Sequence, residues 1–341
     1  MTNIIFISGA GGSIGSEIVR QIRSDRSITK LIINDISELA LFNTWNNVNE
    51  NLGKVNGGLD VIPILGDIGA QSTLKEIYKR FPKIHKIYHA AAYKHVGLSM
   101  INPGVYYENN IISSLDLLKA MEEFNKNNLI FSSSATVYGN SYQSPLSEDL
   151  QLISSNPYGS TKIIIEQLIS DYAKSKKKFK AISLRYFNPI GANVKANLFD
   201  KPLGKPQNLM PVITESILQN KILNIFGNDY ETKDGTCVRD FIHINDLASA
   251  HLLALKKVKN IKGHISINLG LGKGISVLGI IKEFERVNNV KINFKFTKRR
   301  EGDVPVSYAK NNKAIRILGW KPKYDYKDMV KNAWIAANIN H

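Results

Sequence analysis

The chain opens with an apolar run, Ile4-Ile-Phe-Ile7, that passes directly into Ser8-Gly-Ala-Gly-Gly-Ser-Ile-Gly15. Four consecutive apolar residues without polar alternation read as a strand buried on both faces, the kind found inside parallel sheets. Gly9, Gly12 and Gly15 then space a G-x-x-G-x-x-G turn, with Ser13 and Ile14 inside it. A helix is predicted from about Ser16 to Arg23, with Ile14, Ile18 and Ile22 on one face. Glycine in this pattern serves a tight turn, a close backbone approach to a pyrophosphate, and helix–strand packing. The anion would rest on the helix N-terminus, where unpaired N–H groups point outward. A second strand, Lys30 to Asp35, ends in a carboxylate twenty residues after Gly15. Asp35 there suits ribose hydroxyls and repels a 2′-phosphate, so the pattern favours NAD over NADP. The fold class that follows is α/β, a Rossmann-type doubly wound parallel sheet with a smaller C-terminal substrate-binding lobe.

The strands that follow keep the same logic. Asp60 to Asp67 is a third strand, and Asp67 and Ile68 are placed to cover an adenine. Ile84 to Ala92 is a fourth; Ala90 and Ala91 at its end are small enough to let a cofactor lie close. Lys94 and His95 come next, on the side where doubly wound sheets bind ligands. No cluster of His, Asp or Cys accompanies His95, so no metal site is expected. One helix is expected from Pro103 to Glu123, with Asn109 fixing the sheet end or the site. A fifth strand, Leu129 to Ser134, delivers Ser132-Ser-Ser134. The helix from Pro157 to Ser175 carries Tyr158 and Lys162 four residues apart, hence on one face. A phenol of pKa about 10 is no base at neutral pH, but a neighbouring cation favours the phenolate. If Ser134 ends its strand beside this helix, its hydroxyl can share a proton between Tyr158 and a substrate alcohol. By itself, Tyr-x-x-x-Lys reads more readily as a half-buried ring above a solvated lysine than as chemistry.

Composition narrows the partners. A chain of 341 residues can bury a large core, as one domain or a domain plus a lobe. No apolar stretch reaches the roughly 18 residues of a membrane-spanning helix. Met1-Thr-Asn-Ile lacks the basic region of a secretion signal, and the single cysteine, Cys237, excludes an internal disulfide. A cytoplasmic location is expected. The formal charge is +16, yet its lysines are spread without a basic block or interleaved aromatics. That fits a phosphorylated small molecule, with no nucleic acid and no membrane as partner.

Past a sixth strand, Phe179 to Leu184, polar loops recur. Asn188 can donate and accept towards a diphosphate or a sugar. Asn208 and Leu209 open a helix, and Ile225-Phe226 leads into a loop whose ring could pack on a uracil. Arg239 and Arg300 offer guanidinium groups to phosphate, and Asp303 a carboxylate to ribose hydroxyls. Each alone is as good a surface residue as a ligand; together they outline a pocket for a molecule with two phosphates. Residues 1–187, with returning segments near 236–262, are read as the NAD-binding domain and 188–341 as the substrate lobe. Asp246 is read as the cap of a helix ending near Lys257.

In order along the chain stand Phe131-Ser-Ser-Ser-Ala-Thr-Val-Tyr-Gly139, Pro157-Tyr-Gly-Ser-Thr-Lys162, Leu184-Arg-Tyr-Phe-Asn-Pro-Ile-Gly-Ala192 and Asn208-Leu-Met-Pro211. Ile225-Phe-Gly-Asn-Asp-Tyr230, Val238-Arg-Asp240 and Arg300-Glu-Gly-Asp303 complete the series. Over nearly its whole length the chain thus resembles the UDP-hexose 4-epimerases of the extended short-chain dehydrogenase/reductase family. The resemblance implies a tightly held NAD, Tyr158 as base, Lys162 holding the nicotinamide ribose and lowering the Tyr158 pKa, and Ser134 bridging. It places Tyr186 and Lys94 near the cofactor, and Lys94, Asn188, Asn208, Leu209, Ile225, Phe226, Arg239, Arg300 and Asp303 around the UDP-sugar. It further implies oxidation at C4 to a 4-keto sugar, rotation, and reduction from the other face. A homodimer joined through the helices at Pro103–Glu123 and Pro157–Ser175 is also implied. Ser307 stands where members selective for plain hexoses carry a tyrosine, which implies room for UDP-N-acetylhexosamine substrates beside UDP-Glc and UDP-Gal. The wording of Gly9 to Glu17 and of Lys94-His-Val96 is nearer to the 4,6-dehydratases of the same extended family. Those carry an Asp-Glu pair where this chain has Ala135 and Thr136.

Overall fold

The computed structural model describes residues 3–49, 59–140, 143–193, 206, 208–300 and 302–339. They begin with β1 (Ile4–Ser8), α1 (Ser13–Ile22), β2 (Lys30–Asp35), α2 (Glu38–Asn49), β3 (Asp60–Leu65), α3 (Gln71–Arg80) and β4 (Ile84–His89). Next come α4 (Val96–Ile101), α5 (Pro103–Tyr106), α6 (Ser113–Glu123), β5 (Asn128–Ser134), α7 (Pro157–Ser175), β6 (Lys180–Tyr186) and β7 (Asn188–Ile190). Then follow α8 (Leu209–Leu218), β8 (Leu223–Phe226), β9 (Val238–Arg239), β10 (Phe241–His243), α9 (Ile244–Lys257) and β11 (His264–Leu269). The chain closes with β12 (Ile275–Ser276), α10 (Val277–Asn288), β13 (Phe294–Thr297), β14 (Val306–Ser307), α11 (Asn312–Leu318) and α12 (Tyr326–Ile339). Two compact units result: residues 1–139, 152–185 and 248–267 form one, and 140–151, 186–247 and 268–341 the other.

Among the described residues the first unit is built on a seven-stranded sheet in the order β11-β6-β5-β4-β1-β2-β3. The pairs β1–β2, β1–β4, β2–β3 and β4–β5 are parallel. Strand order reverses between β1 and β4, the switch point at whose carboxyl side such sheets bind ligands. Every residue of β1 is buried, as its unbroken apolar run requires. Phe6, Ile32, Ile77, Tyr78, Leu117 and Phe131 belong to one core cluster beneath it. Each such side chain contributes about 1.5–3 kcal/mol by leaving water.

Several elements differ from the sequence expectation. The first helix starts at Ser13 rather than Ser16, because Gly12 takes the extended cap conformation directly after the turn. β4 ends at His89, short of Ala92. The expected helix from Pro103 to Glu123 is interrupted by a π-helical turn, Tyr107–Ile112. Within it Asn110 is fully buried and binds both backbone groups of Tyr93, which holds the wide turn to the sheet end. β11 is a further strand beyond those the sequence predicts, and its last three residues, Ile267-Asn-Leu269, are buried.

The second unit packs Ile213, Phe241, Ile280, Ile281, Phe284, Met329 and Val330 into its own core. Small sheets β12-β9-β14, β10-β7 and β13-β8 lie around it. Asp246, in the first turn of α9, accepts the N–H groups of Lys323 and Tyr324, both at 2.9 Å, and so ties the 320–324 segment to the helix.

Candidate active site

β1 runs into a turn with no room for side chains. A Cβ on Gly15 would lie 2.1 Å from the Gly9 carbonyl oxygen, and one on Gly9, where φ is +72°, 2.6 Å from Ala91 N. The turn therefore lies flat against Ala90 and Ala91, and Gly12 leaves the start of α1 without a side-chain cap. Ser13 and Ile14 are the half-buried first residues of that helix. Asp35, at the end of β2, accepts the Gly11 N–H at 2.9 Å and the Ser37 N–H at 3.0 Å, which holds its carboxylate at the turn. Beneath, the buried His89 joins Ser8 Oγ at 2.8 Å and Ser114 Oγ at 2.9 Å. Burial, with the charge of Lys162, pushes its imidazole down to about 3, so it stays neutral. A floor free of Cβ atoms, open helix N–H groups and a fixed carboxylate fit an extended dinucleotide.

The flanking residues divide. Asp67 is exposed and accepts the Gly69 N–H at 2.7 Å. Ile68 is 3% exposed within the core cluster, so its side chain has no surface left to lay on an adenine, contrary to expectation. Lys94 is exposed after β4. Asn109 is half-buried and donates to Asn110 Oδ1 at 2.9 Å. It is Asn110 that fixes the sheet end, and its amide also donates to Thr161 on α7 at 3.2 Å.

Tyr158 and Lys162 lie on the buried face of α7, where Glu166 follows one turn on. Asn156 caps this helix by accepting the Gly159 N–H at 2.9 Å, and Pro157 fills the first turn. A Cβ on Gly159 would come within 2.8 Å of the Thr136 carbonyl oxygen. Glycine there lets the helix start against the turn that follows β5, which brings Ser134 to Tyr158. Ser134 Oγ accepts from the Thr136 N–H at 3.3 Å and from Thr136 Oγ1 at 3.0 Å, and it stands near enough to the Tyr158 phenol to lower its pKa. Lys162 Nζ donates to the Ser132 carbonyl at 2.9 Å and lies 5.7 Å from the centre of the Tyr158 ring.

Burial pushes the Tyr158 phenol up to about 12, opposed by Ser134 and assisted by Tyr106. Burial also drives Lys162 down to about 7, against the pull of Glu166. At Tyr158 burial thus outweighs whatever lowers the phenol's pKa. The ammonium faces the Ser132 carbonyl, and desolvation of the phenolate dominates. Sequence alone does not single out Tyr106, Asn110 or Glu166. For Glu166 a signal exists, since it repeats the four-residue spacing from Tyr158 to Lys162.

In the second unit, Arg239 donates through Nη1 to the Val304 carbonyl at 2.7 Å and through Nη2 to Asp303 at 3.2 Å. The Arg300 guanidinium lies 3.9 Å from the centre of the Phe226 ring. The Asp303 N–H donates to the Arg300 carbonyl at 3.3 Å, while Glu301 lies outside the described residues. Ser307 on β14 is half-buried and pairs in register with Arg239 on β9. Phe226, Arg300, Asp303, Arg239 and Ser307 are therefore brought into one patch. Asp240 holds it from below, accepting the N–H groups of Leu271, Gly272 and Ala309 at 2.7, 3.0 and 3.0 Å. Asn188 is exposed on β7, Asn208 is exposed at the start of α8, and Leu209 is half-buried against the core. Tyr186 is half-buried at the end of β6. Ile225 is 2% exposed inside the core, which corrects its assignment as a substrate contact: its side chain packs under β8 instead. Among the described residues no group of three or more His, Cys, Asp or Glu is placed to hold a metal. No helix among them is long and apolar enough to cross a membrane.

Residues 5–270 match the profile of the NAD dependent epimerase/dehydratase family. A UDP-glucose 4-epimerase of Cyamopsis tetragonoloba is 39% identical over 340 residues, which cover 98% of this chain and 95% of that relative. The solved UDP-glucose-4-epimerase of Stenotrophomonas maltophila, with bound NAD and formylated UDP-arabinopyranose, is similar at a TM-score of 0.91 and 34% identity. That match covers 100% of this chain and 99% of the other. The UDP-Glc/GlcNAc 4-epimerase of Campylobacter jejuni is similar at a TM-score of 0.79 and 31% identity, over 99% and 100% of the two chains.

Proposed function

The chain belongs to the NAD dependent epimerase/dehydratase family, and from that membership we propose that it interconverts UDP-glucose and UDP-galactose at C4, using NAD. The observation that carries this reading is Tyr158 and Lys162 buried on one face of α7, with Lys162 bonded to the Ser132 carbonyl next to Ser134, in the unit that also holds the glycine cradle. When bound, NAD supplies a reversible acceptor for the hydride of the sugar's C4. Tyr158 removes the proton of the C4 hydroxyl, with Ser134 sharing it, and Lys162 is the cation whose charge favours the phenolate. The 4-keto sugar turns about its diphosphate linkage, and Tyr158 returns a proton to the oxygen presented from the other face. Arg239 and Arg300 pair with the diphosphate, Phe226 with the base and Asp303 with the ribose. Binding energy is thereby placed on UDP, and the hexose is left free to rotate.

Three further features belong to the same reading. Ser307 is small, which supports acceptance of an N-acetyl group at C2, as in the UDP-Glc/GlcNAc relative. Leu98, Met100, Ile101, Val105, Ile112 and Ile164 are exposed on α4, α5, the π turn and α7, which supports a homodimer through that face. A cytoplasmic location accompanies an enzyme of this type. The turn after Ser134 offers Ala135 and Thr136, so no carboxylate there can carry protons for loss of water.

NMR of the products from UDP-Glc, UDP-Gal, UDP-GlcNAc and UDP-GalNAc tests the reading. The C4 epimer of each is expected. A 4-keto-6-deoxy product would establish dehydration instead, and no conversion of any sugar would overturn both. Sedimentation at micromolar concentration is expected to give a dimer; a monomer would refute the proposed interface.

A further inference from the structure

Glu166 is 3% exposed and receives hydrogen bonds from three strands. Arg185 of β6 donates through Nε at 3.0 Å and Nη2 at 2.6 Å, Ser133 of β5 at 2.5 Å, and Ser266 of β11 at 2.8 Å. Arg185 reaches on to the Tyr138 hydroxyl at 2.9 Å. Stability alone does not account for such a group, because a buried ion pair is often replaced by apolar residues without loss. Its neighbours are more informative. Ser133 stands between the Ser132 carbonyl, which accepts from Lys162, and Ser134, whose hydroxyl acts on the Tyr158 phenol.

We propose that Glu166 is a positioning residue for the proton-transfer centre: it fixes the Ser132–Ser134 strand end through Ser133 and, one turn beyond Lys162 on the buried face of α7, is the carboxylate set beside that ammonium. The proposal rests on the roles given above to Tyr158 and Lys162. The groups facing Lys162 are Tyr158 and Glu166 on its own helix and His89 from β4; behind Glu166 stand Arg185 from β6 and His264 from β11. His89 is neutral, so Glu166 is the anion of this set. Burial lowers the Lys162 pKa and Glu166 raises it, so loss of the carboxylate lets Lys162 release its proton at lower pH. Any activity that needs the ammonium then fails at lower pH as well.

The test is titration of the Lys162 Cε resonance by NMR in the full-length protein, assigned by its loss in Lys162→Met. In Glu166→Gln the midpoint is expected to fall by about one unit, and Glu166→Asp is expected to return most of it. Equal midpoints in wild type and Glu166→Gln overturn the electrostatic role. This readout needs no turnover, so an inactive wild type would remove the UDP-hexose reading and leave the titration standing. In the active enzyme the alkaline limb of kcat moves down with the midpoint in Glu166→Gln. Ser133→Ala keeps every charge, and it is expected to lower kcat about tenfold with the limb unmoved and KM within about twofold. A Ser133→Ala enzyme with the kcat of wild type overturns the positioning role, and it decides the matter if Glu166→Gln does not fold.

Discussion

The charged groups of the two candidate site clusters, one in each unit, are treated in opposite ways. In the first, Lys162, Glu166 and Arg185 are 2%, 3% and 4% exposed and are tied together through serines of adjacent strands. In the second, the Arg239 and Asp303 side chains keep 16% and 34% of their surface, and the exposed Arg300 leans on Phe226. Proton transfer needs groups already desolvated and oriented before the substrate arrives, since reorganisation during the reaction raises the barrier. Anchoring a diphosphate needs the reverse. Guanidinium groups that remain wet form their charge-assisted bonds only when the ligand displaces water. The two sets should therefore fail differently when altered: the first through chemistry and folding, the second through affinity.

The largest effect is expected from Tyr158→Phe, which removes the proposed acid–base group. Turnover should fall about 1000-fold while the Kd for UDP stays within about threefold. A comparable loss of UDP affinity would break the division between the units. Next is Arg185→Met, which leaves Glu166 charged and buried without its cation and should cost about 3–5 kcal/mol in urea denaturation at pH 7. Burial alone would raise the Glu166 carboxyl, but the bonds and charge of Arg185 and the bond from Ser133 hold it below the usual carboxylate range. Its contribution is therefore complete above the unfolded-state pKa and is lost as pH falls through the folded value. The gap between wild type and Arg185→Met should narrow below about pH 4, and a constant gap down to pH 3 would contradict this account.

Smaller changes sharpen the other side. Arg300→Ala should weaken UDP binding about 10- to 30-fold with kcat at saturation within about threefold, as calorimetry and steady-state rates would show. A collapse of kcat at unchanged Kd would move Arg300 into the chemistry. Ser307→Tyr should shift the kcat/KM ratio of UDP-GlcNAc to UDP-Glc by about tenfold towards the plain hexose. An unchanged ratio removes Ser307 as the determinant.

The contrast also explains what could be read from sequence. Gly9 to Gly15, Asp35, and Tyr158 with Lys162 are patterns of local spacing, and local geometry carries them directly into structure. Ile68 and Ile225 sit beside such motifs, but whether an apolar side chain faces ligand or core depends on what packs against it. Both went to the core. The π turn depends on Asn110 finding the backbone of Tyr93, a partner 17 residues away. The upward shift at Tyr158 likewise comes from burial, which spacing does not encode. The proposed substrate-side residues Arg239 and Arg300 are legible as charge and as resemblance. Their arrangement around Phe226 and Ser307 needed the pairing of β9 with β14.

The central claim is that the sealed Tyr158–Ser134–Lys162 centre exchanges hydrogen at C4 of a UDP-hexose. The most direct measurement is NMR of UDP-glucose deuterated at C4, incubated with the wild-type protein in ordinary water. UDP-galactose with the deuterium still on C4 is the expected product. Unchanged UDP-glucose, or galactose that has lost its label to solvent, would contradict the account.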